Sequence, residues 1–195
     1  MTQLVFFVEE PSIKEMLKGL IPRLLNDEFE LKFIVFEGKQ DLDKKIEAKL
    51  RAWQYPALFV IIRDQDSGDC VRIKKDLQAK CHNAKKKALI RIACRELESW
   101  YLGDLKAVAN TFGPRVKPND QNKTKYKTPD NLGNPFQVLK KIAPGYQKLS
   151  GSREIGKSLS LENNCSKSFE VFLSGVRDLT KKHRALPQTH PSGSE

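Results

Sequence analysis

The chain has 195 residues, 39% hydrophobic and 30% charged, which suits one unit, or one with a modest appendage, able to bury a core without disulfide or metal staples. Lys and Arg number 35 against 24 Asp and Glu, and the net charge of +11 predicts a surface that attracts polyanions, with a merely solvated basic surface as the plainer alternative. Cys70, Cys81, Cys94 and Cys165 form no CxxC, and His82, His183 and His190 fall in no metal or triad signature, so a disulfide framework, a zinc ribbon and histidine-based catalysis have no basis here.

Leu4 to Val8 (LVFFV) is apolar without alternation and predicts a strand covered on both faces. It stops at Glu9-Glu10-Pro11, too short for a signal peptide, and nothing in the chain approaches the ~20 apolar residues that span a bilayer, so a cytoplasmic protein without a membrane is expected. Ser12 and Glu15 have capping-box spacing at the head of a helix whose stripe is Ile13, Met16, Leu17, Leu20, Ile21, Leu24 and Leu25, with Pro22 expected to kink it or end it early. A second strand, Leu31 to Phe36, leads through Glu37-Gly38-Lys39 to a helix capped by Asp41, with Leu42, Ile46 and Leu50 inward. The third strand, Ala57 to Ile62, ends abruptly in Arg63-Asp64-Gln65-Asp66-Ser67-Gly68-Asp69, where Asp69 reads as the cap of a helix to Cys81. Ala88 to Ala93 is a fourth strand; Glu96 to Tyr101 and a segment from Gly103-Asp104 to Gly113-Pro114 read as short helices, with Trp100 and Tyr101 read as core in preference to base-stacking.

This alternation predicts an α/β fold, a Rossmann-like parallel sheet flanked by helices, with every strand's carboxyl end on one edge. The second half differs. Arg115 to Asn134 is polar, lysine-rich and broken by prolines, which predicts a long loop; helices follow at Phe136 to Ile142, Ser152 to Leu159 and Ser166 to Leu179, then a basic, Pro/Ser/Gly-rich tail from Lys181.

The strand-ending acids carry the functional reading. Glu9, Asp64 and Asp66 converge on the active edge, and three carboxylates together call for a positive ion, for which hard Mg²⁺ or Mn²⁺ is the natural occupant. The competing reading makes them loop and capping acids. Glu96 and Glu98 follow strand four at the same edge, and one of them is expected as a further ligand or supporting acid, with a solvated helix face as the alternative; Asp104 reads as a helix cap first. Arg63 and Lys39 point to this edge, either to ground a substrate phosphate or to pair with its acids. Lys123, Lys125 and Lys127, with Lys85 to Lys87 and Lys181, Lys182 and Arg184, are candidates for a groove that tracks a phosphate backbone. No Walker A run, post-strand GxGxxG, HExxH or GxSxG is present.

The segments VEEPS at Val8 to Ser12 and LFVIIRDQDSGD at Leu58 to Asp69 resemble the Toprim domain of topoisomerases, bacterial-type primases, recombination proteins and overcoming-lysogenisation-defect (OLD) nucleases. The resemblance implies that Glu9, Asp64 and Asp66 carry the metal and the acid/base work; Glu98, from its place after strand four, is expected as the added ligand. The resemblance covers roughly the first half of the chain, read as a Toprim-like core at 1–112; the pattern of the remainder divides it into a lysine-rich loop at 113–134, a mainly helical C-terminal extension packed on the core at 135–180 and a flexible tail at 181–195. Glu10 stands where Toprim proteins usually have Gly. Arg95 to Leu102 (RELESWYL) and Asn164 to Phe169 are similar to segments of small stand-alone Toprim-like proteins, whose relatives are often encoded beside ABC-type ATPases in bacterial defence loci. The function so implied is a Mg²⁺-dependent nuclease acting on DNA or RNA, an anti-phage effector with an ABC/SMC-type ATPase partner. The alternatives are a non-catalytic adaptor of such an ATPase and a phosphoryl transferase or phosphatase for a small phosphate.

Overall fold

A computed structural model describes residues 2–26 and 28–185; the expected tail from 186 onward, with His190, lies outside them. Strands β1 (Gln3–Val8), β2 (Glu30–Val35), β3 (Ala57–Asp64) and β4 (Ala88–Ala93) alternate with helices α1 (Pro11–Leu25), α2 (Lys39–Arg51) and α3 (Cys70–Asn83). All pairings are parallel, in the order β2-β1-β3-β4. The unbroken apolar run of β1 follows from burial on both faces: Leu4, Phe6 and Val8 pack against α1 and the C-terminal helices, Val5 and Phe7 against Leu42, Ile46 and Leu50 of α2 and Leu77 of α3. The expected α/β sheet flanked by helices, with a helical C-terminal segment, is the observed fold.

Strand order positions the site. From β1 the chain crosses to one side to form β2; from β3 it crosses to the other to form β4. The order therefore switches between β1 and β3, and the carboxyl ends of those two strands are where ligands bind in such sheets.

Several local expectations fail for identifiable reasons. Ser12 and Glu15 make no capping box: Glu10 occupies the N-cap position without a side-chain cap, the Ser12 hydroxyl donates to Glu10, and Glu15 instead pairs with Lys18 and Arg153. Pro22 does not end α1, which continues to Leu25 and closes on Asn26 in the left-handed region. Asp41 lies in the first turn of α2, not at its cap, and accepts the Glu37 amide at 3.2 Å. Asp69 does cap α3, accepting the Arg72 amide at 2.7 Å.

The C-terminal half forms α4 (Glu98–Leu102), α5 (Leu105–Phe112), α6 (Thr124–Lys127), α7 (Pro135–Ile142), α8 (Lys148–Gly156) and α9 (Lys167–Arg184). The segment expected as a long loop contains α6 and 3-10 turns at Pro118–Asn122 and Pro129–Asn131. Gln121 holds it: its side-chain oxygen accepts the Leu105 amide at 2.7 Å, and its nitrogen donates to the carbonyls of Leu102 and Tyr126 at 3.1 and 2.7 Å. Helix α8 starts four residues before the expected Ser152. Lys181 to Arg184 continue α9: His183 hydrogen-bonds the Thr2 hydroxyl at 3.0 Å, and Arg184 pairs with Glu28 at 2.5 Å. Among the described residues no helix is long and apolar enough to cross a membrane.

Helices α1 and α8 approach through paired glycines. A Cβ on Gly19 would stand 2.8 Å from the Gly156 carbonyl carbon, and one on Gly156 would stand 2.3 Å from the Met16 carbonyl oxygen. Arg23 locks the crossing with bonds to the carbonyls of Gly156 and Leu159 at 3.1 and 2.8 Å. Gly156→Ala must push the two helices apart and should cost ~1–3 kcal/mol, seen as a drop of ~2–4 °C in melting temperature per kcal/mol. Gly133→Ala, where a Cβ would meet nothing within 4 Å, is the near-neutral control.

Candidate functional site

Glu9 follows β1 and Asp64 closes β3, so the switch in strand order brings them together: Glu9 Oε2 accepts the Asp64 amide at 3.0 Å, and the Glu9 amide bonds the Ile62 carbonyl at 3.2 Å. Asp64 is only 5% exposed, and its Oδ1 is buried without a hydrogen-bond partner. Burial pushes its carboxyl well above the usual range, and the charges of Glu10, Glu98 and Glu9 push the same way against the relief from Lys148. Glu98, in the first turn of α4, is fully buried; Oε1 accepts the Tyr146 hydroxyl at 2.8 Å, while Oε2 has no partner. Burial raises this carboxyl too, opposed by Lys148 and the Tyr146 hydrogen bond. For Glu9, burial outweighs the lowering influence of the Asp64 amide and Arg63.

Asp66 is paired with a lysine, although its charge still helps to raise the Glu9 carboxyl. It sits at φ 53°, its amide on the Arg95 carbonyl at 2.7 Å, and its Oδ2 accepts from Lys39 Nζ at 2.7 Å. Arg95 is also left-handed, at φ 64°, and its amide donates to Gln65 Oε1 at 3.1 Å, so the loops after β3 and β4 are stitched together by two residues in an uncommon conformation. Lys39 and Arg63 are both spent on acids. Burial leaves Arg63 no route to solvent, and its guanidinium lies on Asp43 at 3.0 and 3.2 Å, a partner sequence reasoning did not weigh, with Glu9 at 3.9 Å. Glu96 accepts the Phe136 amide at 2.8 Å at the head of α7, and Asp104 accepts the amides of Ala107 and Ser160 at 3.0 and 2.8 Å. Of these three acids it is Glu98 that stands beside Asp64.

Sequence reasoning missed the counter-charge. Lys148 heads α8 and reaches Glu10 Oε2 at 2.7 Å. Its partial burial favours the neutral amine, but the Glu10 hydrogen bond and the charges of Glu10, Glu98 and Asp64 outweigh that and raise its pKa. Lys148 lies 138 positions from Glu10 in a stretch with no recognisable motif, so only the α1–α8 crossing reveals it. Tyr146, which bonds Glu98 and stands 3.5 Å from Ser152 Oγ, is likewise invisible to local pattern.

The proposed groove does not gather all its lysines. Lys85 to Lys87 precede β4, and the end of α9 touches Thr2 and Glu28 before β1 and β2, so both clusters lie at the amino edge of the sheet, opposite the acids. Lys123, Lys125 and Lys127 are exposed; Lys123 pairs with Asp120 at 3.0 Å and Lys125 lies over the Tyr126 ring.

Among the described residues no three His, Cys, Asp or Glu side chains converge as a ready ligand shell. The unpartnered buried oxygens of Asp64 and Glu98 nevertheless suit a hard cation, because a buried carboxylate oxygen without a donor is costly and an oxygen-seeking ion removes that cost. Because the fold raises the pKa of Asp64, Glu98 and Glu9, it favours their protonated forms: that stability is present below the unfolded carboxyl values and is lost as pH rises through the folded ones. In chelator, Asp64→Asn should melt above the parent at pH 8, and the two melting curves should converge as pH falls to the ordinary aspartate value of 3.8.

The fold is similar to that of a solved structure of the C-terminal region of the OLD protein of Xanthomonas campestris pv. campestris, with a TM-score of 0.51 at 13% identity, covering 94% of this chain and 98% of that one. No curated protein matches the sequence. Residues 8–177 match the family described as Domain of unknown function (DUF4276), and the chain belongs to that family.

Proposed function

We propose that the chain is a metal-dependent nuclease that hydrolyses phosphodiester bonds of DNA or RNA at the carboxyl ends of β1 and β3. The observation that carries this reading is the buried pair Asp64 and Glu98, each with an oxygen lacking a partner, beside Glu9. The Toprim resemblance of the Glu9 and Asp64-Gln65-Asp66 segments, the likeness of fold to the OLD C-terminal region and the charge of +11 support it. Asp64 and Glu98 would hold Mg²⁺ or Mn²⁺ with Glu9 next to them, and the ion would supply Lewis-acid stabilisation of a phosphoryl oxygen. Glu9, its pKa raised by burial, is suited to exchange a proton with the reacting groups. Lys148 balances the acids from the opposite wall and is placed to meet anionic charge. Asp66 shares its Oδ2 with Lys39, and the pair would meet a phosphate bound at this edge together. Lys123, Lys125 and Lys127 are the exposed cations assigned to the nucleic-acid backbone. The physiological setting that fits the resemblance is a bacterial anti-phage system with an ABC/SMC-type ATPase partner.

A second reading, a non-catalytic adaptor of such an ATPase, is favoured by one observation: Lys39 and Lys148 already hold Asp66 and Glu10, and no ligand shell is preassembled among the described residues. Calorimetry with Mn²⁺ separates the two. The nuclease reading expects binding by the parent that disappears in Asp64→Ala, and cleavage of plasmid, single-stranded DNA or RNA that falls by ~10²-fold or more in the variant. Parent protein that neither binds the ion nor cuts, with or without the ATPase, supports the adaptor. Charge reversal at Lys123 and Lys125 should weaken nucleic-acid binding across all sequences and lower the salt slope by ~1 for each phosphate no longer neutralised.

A further inference from the structure

A groove of about 600 Å³ runs along β4, between α3 and α9. It shares no residue with the carboxylate cluster. Strand β4 ends the sheet on this side, so one row of its backbone groups has no neighbouring strand among the described residues. The Gln65 amide bonds the Ala93 carbonyl at 2.9 Å, so Ala93 turns its polar groups towards β3, and alternation turns those of Arg91 and Leu89 the same way. Ile90 and Ile92 therefore turn theirs outward, and both line the groove. Side chains already meet this row at two points: Arg91 Nη1 donates to the Ile90 carbonyl at 2.9 Å, and the Cys94 amide donates to the Ser168 hydroxyl at 3.3 Å. The Ile90 amide and both polar groups of Ile92 are left facing the groove.

The walls identify the occupant. Val71 of α3 is 63% exposed and Val171 of α9 is 41% exposed, an apolar pair flanking an open strand edge. The rim carries Lys74 and Lys75, with Arg91 also held on the Val171 carbonyl at 3.1 Å and Lys167 paired with Glu170 at 2.8 Å, and the one acid lining the groove, Asp130, has its oxygens taken up by Ser166 and Ser168. An apolar floor under a basic rim suits a segment bearing both apolar and acidic side chains and is poorly matched to a phosphate backbone. A second copy of this chain is disfavoured, because each copy carries +11. We propose that the groove docks an extended acidic segment of a different protein, added beside β4 as a fifth strand through the outward backbone of Ile90 and Ile92. Arg91 then exchanges its hold on the Ile90 carbonyl for an acidic side chain of the incoming strand. This assignment does not depend on the nuclease reading.

The probe is an end-blocked, fluorescein-labelled peptide of four Glu-Val repeats, titrated with the full chain at physiological salt and followed by anisotropy. Saturable binding is expected, weakened ~10-fold or more by Lys74→Glu with Lys75→Glu, both exposed positions on α3. It should vanish when alternate peptide amides are N-methylated, which keeps charge and side chains but removes the strand's donors. Circular dichroism of the double variant checks that it is folded. The proposal is overturned by an absence of saturable binding, by equal binding of the folded double variant or the methylated peptide, or by a Lys-Val peptide that binds as well. Full displacement of the peptide by single-stranded DNA would overturn it too, assigning the groove to nucleic acid.

Discussion

Asp64 closes β3, and its Oδ1 has neither solvent nor a hydrogen bond, so its neighbours decide whether it keeps a charge. Desolvation pushes that charge out, and Glu10, Glu98 and Glu9 push in the same direction. Lys148, itself on Glu10, is the cation that offsets them. The helices of the C-terminal half bear on this problem. Helix α8 must lie tight against α1 for Lys148 to reach Glu10, and the close Gly19–Gly156 packing permits that approach. Tyr146, in the turn before α8, must stand under Glu98.

The sheet was legible because its signals are local. A doubly buried strand is a continuous apolar run, and the strand at Gln3–Val8 falls where such a run occurs. Convergence of Glu9 and Asp64 was legible because parallel order alone brings their strand ends together. What chain order cannot encode is the choice of ion-pair partner. Arg63 sits next to Asp64 in sequence yet turns to Asp43, and Asp66, two residues from Asp64, turns to Lys39. The Arg115 to Asn134 stretch misled because its polar and proline-rich composition resembles a loop, while one residue, Gln121, substitutes for the backbone bonds that a longer helix would make.

The segments Arg95 to Leu102 and Asn164 to Phe169 meet in space. Trp100 Nε1 donates to the Ser168 hydroxyl at 2.8 Å, Asn164 donates to the Trp100 carbonyl at 2.9 Å, and Asp130 gathers Ser166 and Ser168. A Cβ on Gly103 would collide with Asn164 Oδ1 at 2.0 Å. Trp100, Gly103, Asn164, Ser166 and Ser168 are therefore explained by a joint between α4 and α9 that sets the position of Glu98.

The distance in sequence between Lys148 and Glu10, 138 positions, bears on how the protein is made. A ribosome releases β1 to β4 long before it releases α8, and at ~5–20 residues per second the nascent sheet waits several seconds with Asp64, Glu9 and Glu10 lacking their lysine. During that interval the carboxylates have only solvent and its ions to offset them, and the charge cluster stays unfinished. Its assembly marks arrival of the C-terminal half, so a truncated product carries the strands and the acids but not the charge balance of the mature pocket.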